Sequence, residues 1–147
     1  MAAIDFEQLV QAVGDAIVVV DVSGIILTWN AAATRIFGYS EAVAVGRSLD
    51  LIIPERQRDR HWQGYAKTVT TGTTRYGSSV LRVPALHQDG RTLSIAFTVA
   101  MLHKDNGQVD AIAAVIRDET ARFTEERALR KRLAELEARV PVGSTSE

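Results

Sequence analysis

The chain has 147 residues, 46% hydrophobic and 24% charged, with 17 basic and 18 acidic residues for a net charge of −1. That length and composition suit one folded core plus an appendage, and the balanced charge gives no field toward nucleic acid or an anionic membrane, so neither is expected as a direct partner. The absence of cysteine removes disulfides, thiolate metal sites, cysteine nucleophiles and thiol-attached cofactors together.

In chain order, FEQLVQAV repeats Phe6, Leu9, Val10 and Val13 at helical spacing, which predicts a short amphipathic helix within residues 1–14. Its acidic flank is not that of a signal peptide, and no apolar run reaches bilayer length, so a cytoplasmic location is expected. The core unit is predicted over 15–118. It opens with AIVVVDV and IILTW, two β-branched runs separated by Ser23-Gly24, which read as a hairpin. Next, NAAATRIFGYSEAVAVGRSLDLIIP breaks at Gly38, Gly46 and Pro54 into helical pieces too short to hold without a sheet to pack on.

Pro54 suits the first position of a longer helix through about Val69, closing near Gly72. The segment ERQRDRHWQGY lies on that predicted helix. Trp62, Tyr65, Ala66 and Val69 form its apolar stripe, with His61 at the margin and Gly64 leaving room beside the ring. Two strands should flank His87-Gln88-Asp89-Gly90. In the second, Leu93, Ile95, Phe97, Val99 and Met101 make one apolar face. After the turn KDNG, VDAIAAVI is apolar on both faces, which predicts a central strand with helices over both sides, at least in part.

Asp118 is the expected cap of a closing helix over 119–140, where Leu129, Leu133, Leu136 and Val140 alternate at coiled-coil spacing. Residues 141–147, PVGSTSE, have the composition of a disordered tail. The three histidines, His61, His87 and His103, lack the close spacing of a zinc site. With no nucleophile–base pair, phosphate loop or kinase signature, no enzymatic activity is expected. Asp89 and Asp118 have structural work at a turn and a cap.

The motifs DAIVVVDVSGIILTWN, IFGYSEAVAVGRSL, IIPE, DGR and VIRDET, in this order, resemble a PAS domain over roughly Leu9 to Phe123. The resemblance implies an α+β PAS fold. Its five-stranded antiparallel sheet would carry flanking short helices, with an N-terminal amphipathic helix and a C-terminal coiled-coil-like helix. It further implies a sensory module in signal transduction, including regulation of transcription, that passes its signal through the exit helix to an effector.

Within that family, the helix after the IIPE-like motif carries the iron-ligating histidine of the haem-binding rhizobial sensors, and His61 falls on that position. The resemblance thus implies haem b with His61 as axial ligand and a diatomic gas as signal. Lys67 and Arg75 would contact the propionates. Leu81 stands where those sensors carry an oxygen-binding arginine, and Phe97 where they carry a smaller aliphatic residue, with Val99 beyond. Tyr76 could supply a hydroxyl instead, and carbon monoxide or nitric oxide would need less polar help than oxygen. Leu27, Tyr65, Leu81, Phe97, Val99 and Ile116 should line one cavity, while His87 and His103 should be exposed and dispensable.

The alternative reading is a PAS domain that binds another small ligand or none and acts as a dimerisation or protein-interaction module. Photochemistry of the LOV type needs a cysteine this chain lacks. Noncovalent flavin against Trp29, Asn30 and Tyr65 stays open, although Trp29-Asn30 equally reads as a strand end and helix cap. Either way a homodimer through the N- and C-terminal helices is expected, with the N-terminal stripe covering the sheet's outer face.

Overall fold

The computed structural model describes residues 3–73 and 78–140. The elements are α1 (Phe6–Ala12), β1 (Ala16–Asp21), β2 (Ile26–Trp29), α2 (Ala31–Phe37), α3 (Glu41–Ala44), α4 (Arg58–Thr71), β3 (Leu81–Leu86), β4 (Thr92–His103), β5 (Val109–Asp118) and α5 (Thr120–Ala138). The predicted tail over 141–147 lies outside the described residues, as do Arg75 and Tyr76.

The strands form one sheet in the order β2-β1-β5-β4-β3, each neighbouring pair antiparallel. The doubly apolar β5 is therefore central, as its sequence requires. Register aligns side chains into rows on one face: Leu81, Phe97, Ile116 and Ala16 in one, Val99, Ala114, Val18 and Trp29 in the next. This inner face meets Ala33 and Phe37 of α2, Ala44 of α3, and Ile52 and Ile53 in the core cluster. The short helices persist because each is capped and packed. Asn30 and Ser40 accept hydrogen bonds from Ala33 N and Val43 N, and Gly38 closes α2 in the left-handed region at φ 88°.

Several expectations are corrected. Pro54 has φ −55° and ψ 140°, outside the helix, because the proline ring fixes φ but leaves ψ open. A 3-10 turn follows at Glu55–Gln57, and α4 begins only at Arg58. Leu27 is 49% exposed. A register shift between Val19 and Val20 pairs Val20 with Ile26 and Val18 with Trp29, so the inward residues of β2 are three apart and Leu27 is turned out. Asp118 does accept from Thr120 N, but Glu119 occupies the cap position of α5.

Helical cover of the outer face is only partial: the start of α5 lies at its β3–β4 part, where Ser94 N donates to Thr120 Oγ1 and Ala96 is buried, while Leu27, Leu102 and Val115 are exposed. α1 lies against α2 instead: Asn30 donates to Val10 O, and Gln11 accepts from Ala31 N. No helix among the described residues is long and apolar enough to cross a membrane.

Candidate functional site

The half-buried positions of α4 are Arg58, His61, Trp62, Tyr65, Thr68 and Val69, whereas Ala66 and Gly64 are exposed. His61 is therefore inside the buried stripe, not at its margin. Gly64 gives the ring no room, because it lies on the solvent side, where an added Cβ would meet nothing within 4 Å. Helical spacing has the right period but its stripe centre is displaced by about half a residue step, since Ala66 is apolar enough to join any stripe.

Two aromatic residues dock this helix. The Trp62 indole donates to Asp50 Oδ1 at 2.7 Å, and its ring lies on Gly24, where an added Cβ would come within 2.5 Å of Cη2. The Tyr65 hydroxyl donates to the main-chain oxygen of Asp21. Both rings pack against the core cluster. Burial, with the Asp21 charge second, pushes the Tyr65 hydroxyl from 10.0 to about 12.

His61 packs between these anchors, edge-on to Trp62 at 4.5 Å and stacked on Tyr65 at 6.0 Å between centroids. Burial holds its imidazole below the ordinary 6.5, against the opposing pull of Asp50, so the ring is neutral at pH 7. Its Nδ1 is buried without a hydrogen-bond partner. Asp50 is committed elsewhere, to Trp62 and to Arg58 at 4.0 Å. The Arg58 guanidinium also donates to Ile53 O and Asp50 O.

Of the other residues singled out by sequence, Leu81, Phe97 and Val99 share the inner face. All three are half-buried, and Phe97 packs against the core with Tyr65. Leu27 does not join them, so the expected six do not line one cavity. Lys67 is exposed on α4. Among the described residues, two open clefts lie elsewhere. One of about 570 Å³ is bounded by Val69, Lys104 and Asn106, and one of about 780 Å³ lies between β3, β4 and the start of α5.

His103 is exposed as expected, but His87 is not: its side chain is 16% exposed. The left-handed Gly38 has no Cβ to hold that ring away, and Gln88 N donates to Phe37 O, which docks the β3–β4 turn on α2. The flavin-wall reading also yields. Trp29 is wholly buried with its indole donating to Tyr39 O, and Asn30 is saturated by protein partners. Sequence reasoning missed Gln57, whose Oε1 is likewise buried and unpartnered. Nothing in its local pattern distinguishes it from a surface glutamine.

A family model described as the PAS fold matches residues 4–118. Among curated proteins, an uncharacterized protein of Azorhizobium caulinodans is 35% identical over 118 residues, which are 80% of this chain and 16% of that protein. Sensor protein FixL of Bradyrhizobium diazoefficiens is 28% identical over 130 residues, 88% of this chain and 25% of FixL. The chain thus spans a quarter or less of the length of these relatives.

Among solved structures, the PAS domain of a Colwellia psychrerythraea protein superposes with a TM-score of 0.69 at 24% identity, covering 79% of this chain and 95% of that one. An RNA-binding Light-Oxygen-Voltage receptor gives a TM-score of 0.66 at 20% identity, covering 90% of this chain and 37% of the receptor. At these identities the likeness is one of fold.

Proposed function

This chain belongs to the PAS family, the sensory domains of signalling proteins, and from that membership we propose that it is a haem-based gas or redox sensor with His61 as axial ligand, working as a homodimer. The observation that supports the haem reading is the His61 ring itself: neutral, half-buried on the docked stripe of α4, with an unpartnered Nδ1. A neutral imidazole is a normal axial ligand. A bound haem would supply an iron for a diatomic gas or a change of redox state.

The chain's own residues would do the rest. His61 would hold the group from α4, and Leu81, Phe97 and Val99 would keep water from its apolar face. Lys67, exposed on the same helix, would meet a propionate at the rim, with Arg75 as a second cation and Tyr76 as a hydroxyl donor.

Leu129, Leu133 and Leu136 support the homodimer, being 68%, 57% and 45% exposed along one edge of α5. Glu125 and Arg132 flank this edge on one side, Arg130 and Glu137 on the other. Two parallel copies would set Glu125 against Arg130 and Arg132 against Glu137 of the second copy, so both flanks attract.

A second reading, a PAS module that binds another small ligand or none and serves association, is favoured by the packing of Trp62, Tyr65 and Phe97 against the core. Titrating the purified protein with haemin separates the two. A Soret band that survives His87→Ala and His103→Ala but is lost in His61→Ala supports the haem reading. No uptake by the wild type refutes it.

A further inference from the structure

Among the described residues, two buried side-chain polar atoms have no hydrogen-bond partner: Gln57 Oε1 and His61 Nδ1. They belong to residues four apart. Gln57 has helical φ −96° and ψ −5° at the junction into α4, so the two side chains rise from one helical face with Cβ atoms about 5–6 Å apart. Their chemistry is complementary. An amide oxygen can only accept, whereas Nδ1 of a neutral imidazole donates in one of its two tautomers.

Neighbouring polar groups have partners of their own. Asp50 accepts from Trp62, Arg58 donates to Ile53 O, and the Tyr65 hydroxyl donates to Asp21 O. Gln57 Oε1 is the buried acceptor on this helical face without a partner; the two atoms are not bonded to each other in the structure, and a side-chain rotation would pair them.

We propose that Gln57 is the positioning residue for His61: Nδ1–H donates to Gln57 Oε1, which fixes that tautomer and leaves Nε2 as the nitrogen with the free lone pair. A side chain so held presents a ready ligand, because the partner of the non-ligating nitrogen sets both ring orientation and basicity. The tautomer is a property of the protein alone. Its use as a ligand-orienting device rests on the haem reading above.

The test is ¹⁵N NMR of the histidine ring nitrogens in haem-free protein at mildly alkaline pH, where the imidazole is neutral. The wild type should show the Nδ1–H form of His61. Gln57→Ala should move the population toward Nε2–H with the amide spectrum of the rest of the domain unchanged, and Gln57→Glu, which keeps an acceptor oxygen, should restore it. If Gln57→Ala does not fold, Gln57→Met removes the acceptor while keeping the side-chain length.

A wild-type ring protonated on Nε2, or a spectrum indifferent to loss of the acceptor, overturns the proposal. Haemin titration is the second arm, in which Gln57→Ala should weaken uptake about 10-fold or more. A wild type that takes up no haem while showing Nδ1–H would sink the haem reading and leave the Gln57–His61 pairing standing.

Discussion

Asn30 offers a sharp separation between a local and a global role. A lone N-cap tolerates aspartate as well as asparagine, so if capping α2 were its whole task, Asn30→Asp would be neutral. In the structure Asn30 is wholly buried. Its Oδ1 accepts from Ile17 N at 2.9 Å and Ala33 N at 3.0 Å, while its Nδ2 donates to Val10 O at 2.8 Å and Asp15 O at 3.1 Å.

Alanine would forfeit all four. The cap is worth about 1 kcal/mol and each remaining bond about 1 kcal/mol net, for a loss of about 4 kcal/mol. Aspartate keeps the two accepted bonds but loses both donors and sets a buried carboxylate against two carbonyl oxygens. Its cost should be about 3 kcal/mol or more at neutral pH, easing as acid protonates the carboxyl and restores one donor. Against a typical total of about 5–15 kcal/mol, either change is severe. Urea unfolding at fixed protein concentration, followed through the fluorescence of Trp29 and Trp62, measures this. An Asn30→Asp variant within about 0.5 kcal/mol of the wild type at pH 7 would refute the reasoning.

Two further outcomes are expected. The Leu129→Glu/Leu133→Glu double variant should remain folded but dissociate: each leucine contributes roughly 1 kcal/mol on burial, four per dimer, so Kd should rise about a thousandfold. Sedimentation checks this, and a wild-type monomer at micromolar concentration would contradict it. His61 titrates below its unfolded value of 6.5 in the fold. Its uncharged form is thus the native one, and its contribution is complete above about 6.5 and lost as pH falls toward the lower folded value. Unfolding free energies between pH 7 and pH 5 should therefore fall less steeply in His61→Gln than in the wild type.

Elements whose signals are local were legible in the sequence. Val109–Asp118 announces its central place by being apolar on both faces, and the alternation of Leu93 to Met101 names the inner face of β4. Asn30 could be read as a cap, though not as the tether of Val10 and Asp15, because those partners come from a remote segment. Leu27 was misplaced because it is the extra residue of a bulge in β2, which strand alternation does not reveal. The burial of His87 depends on Gly38, far away in the chain. For the candidate site, His61 was reachable through the family motif around it, but its position within the stripe and its orphaned Nδ1 emerge only once Trp62 and Tyr65 have fixed the rotation of α4.

Asp15, just after α1, and Arg117, just before α5, form a bidentate ion pair at 3.1 and 3.2 Å. The ladder behind it runs antiparallel from Ala16 opposite Ile116 to Asp21 opposite Ala111. Tension applied between the two flanking helices would therefore enter the sheet at one end of that ladder and open it like a zipper, one rung at a time, instead of shearing all rungs together. Once the tethers of Val10, Gln11 and Thr120 have yielded, Arg117 and Asp15 form the first rung of that ladder to bear the load. As a mechanical element the domain is compliant along the line joining its flanks, and it would give way under pulling at a lower force than its thermodynamic stability alone suggests.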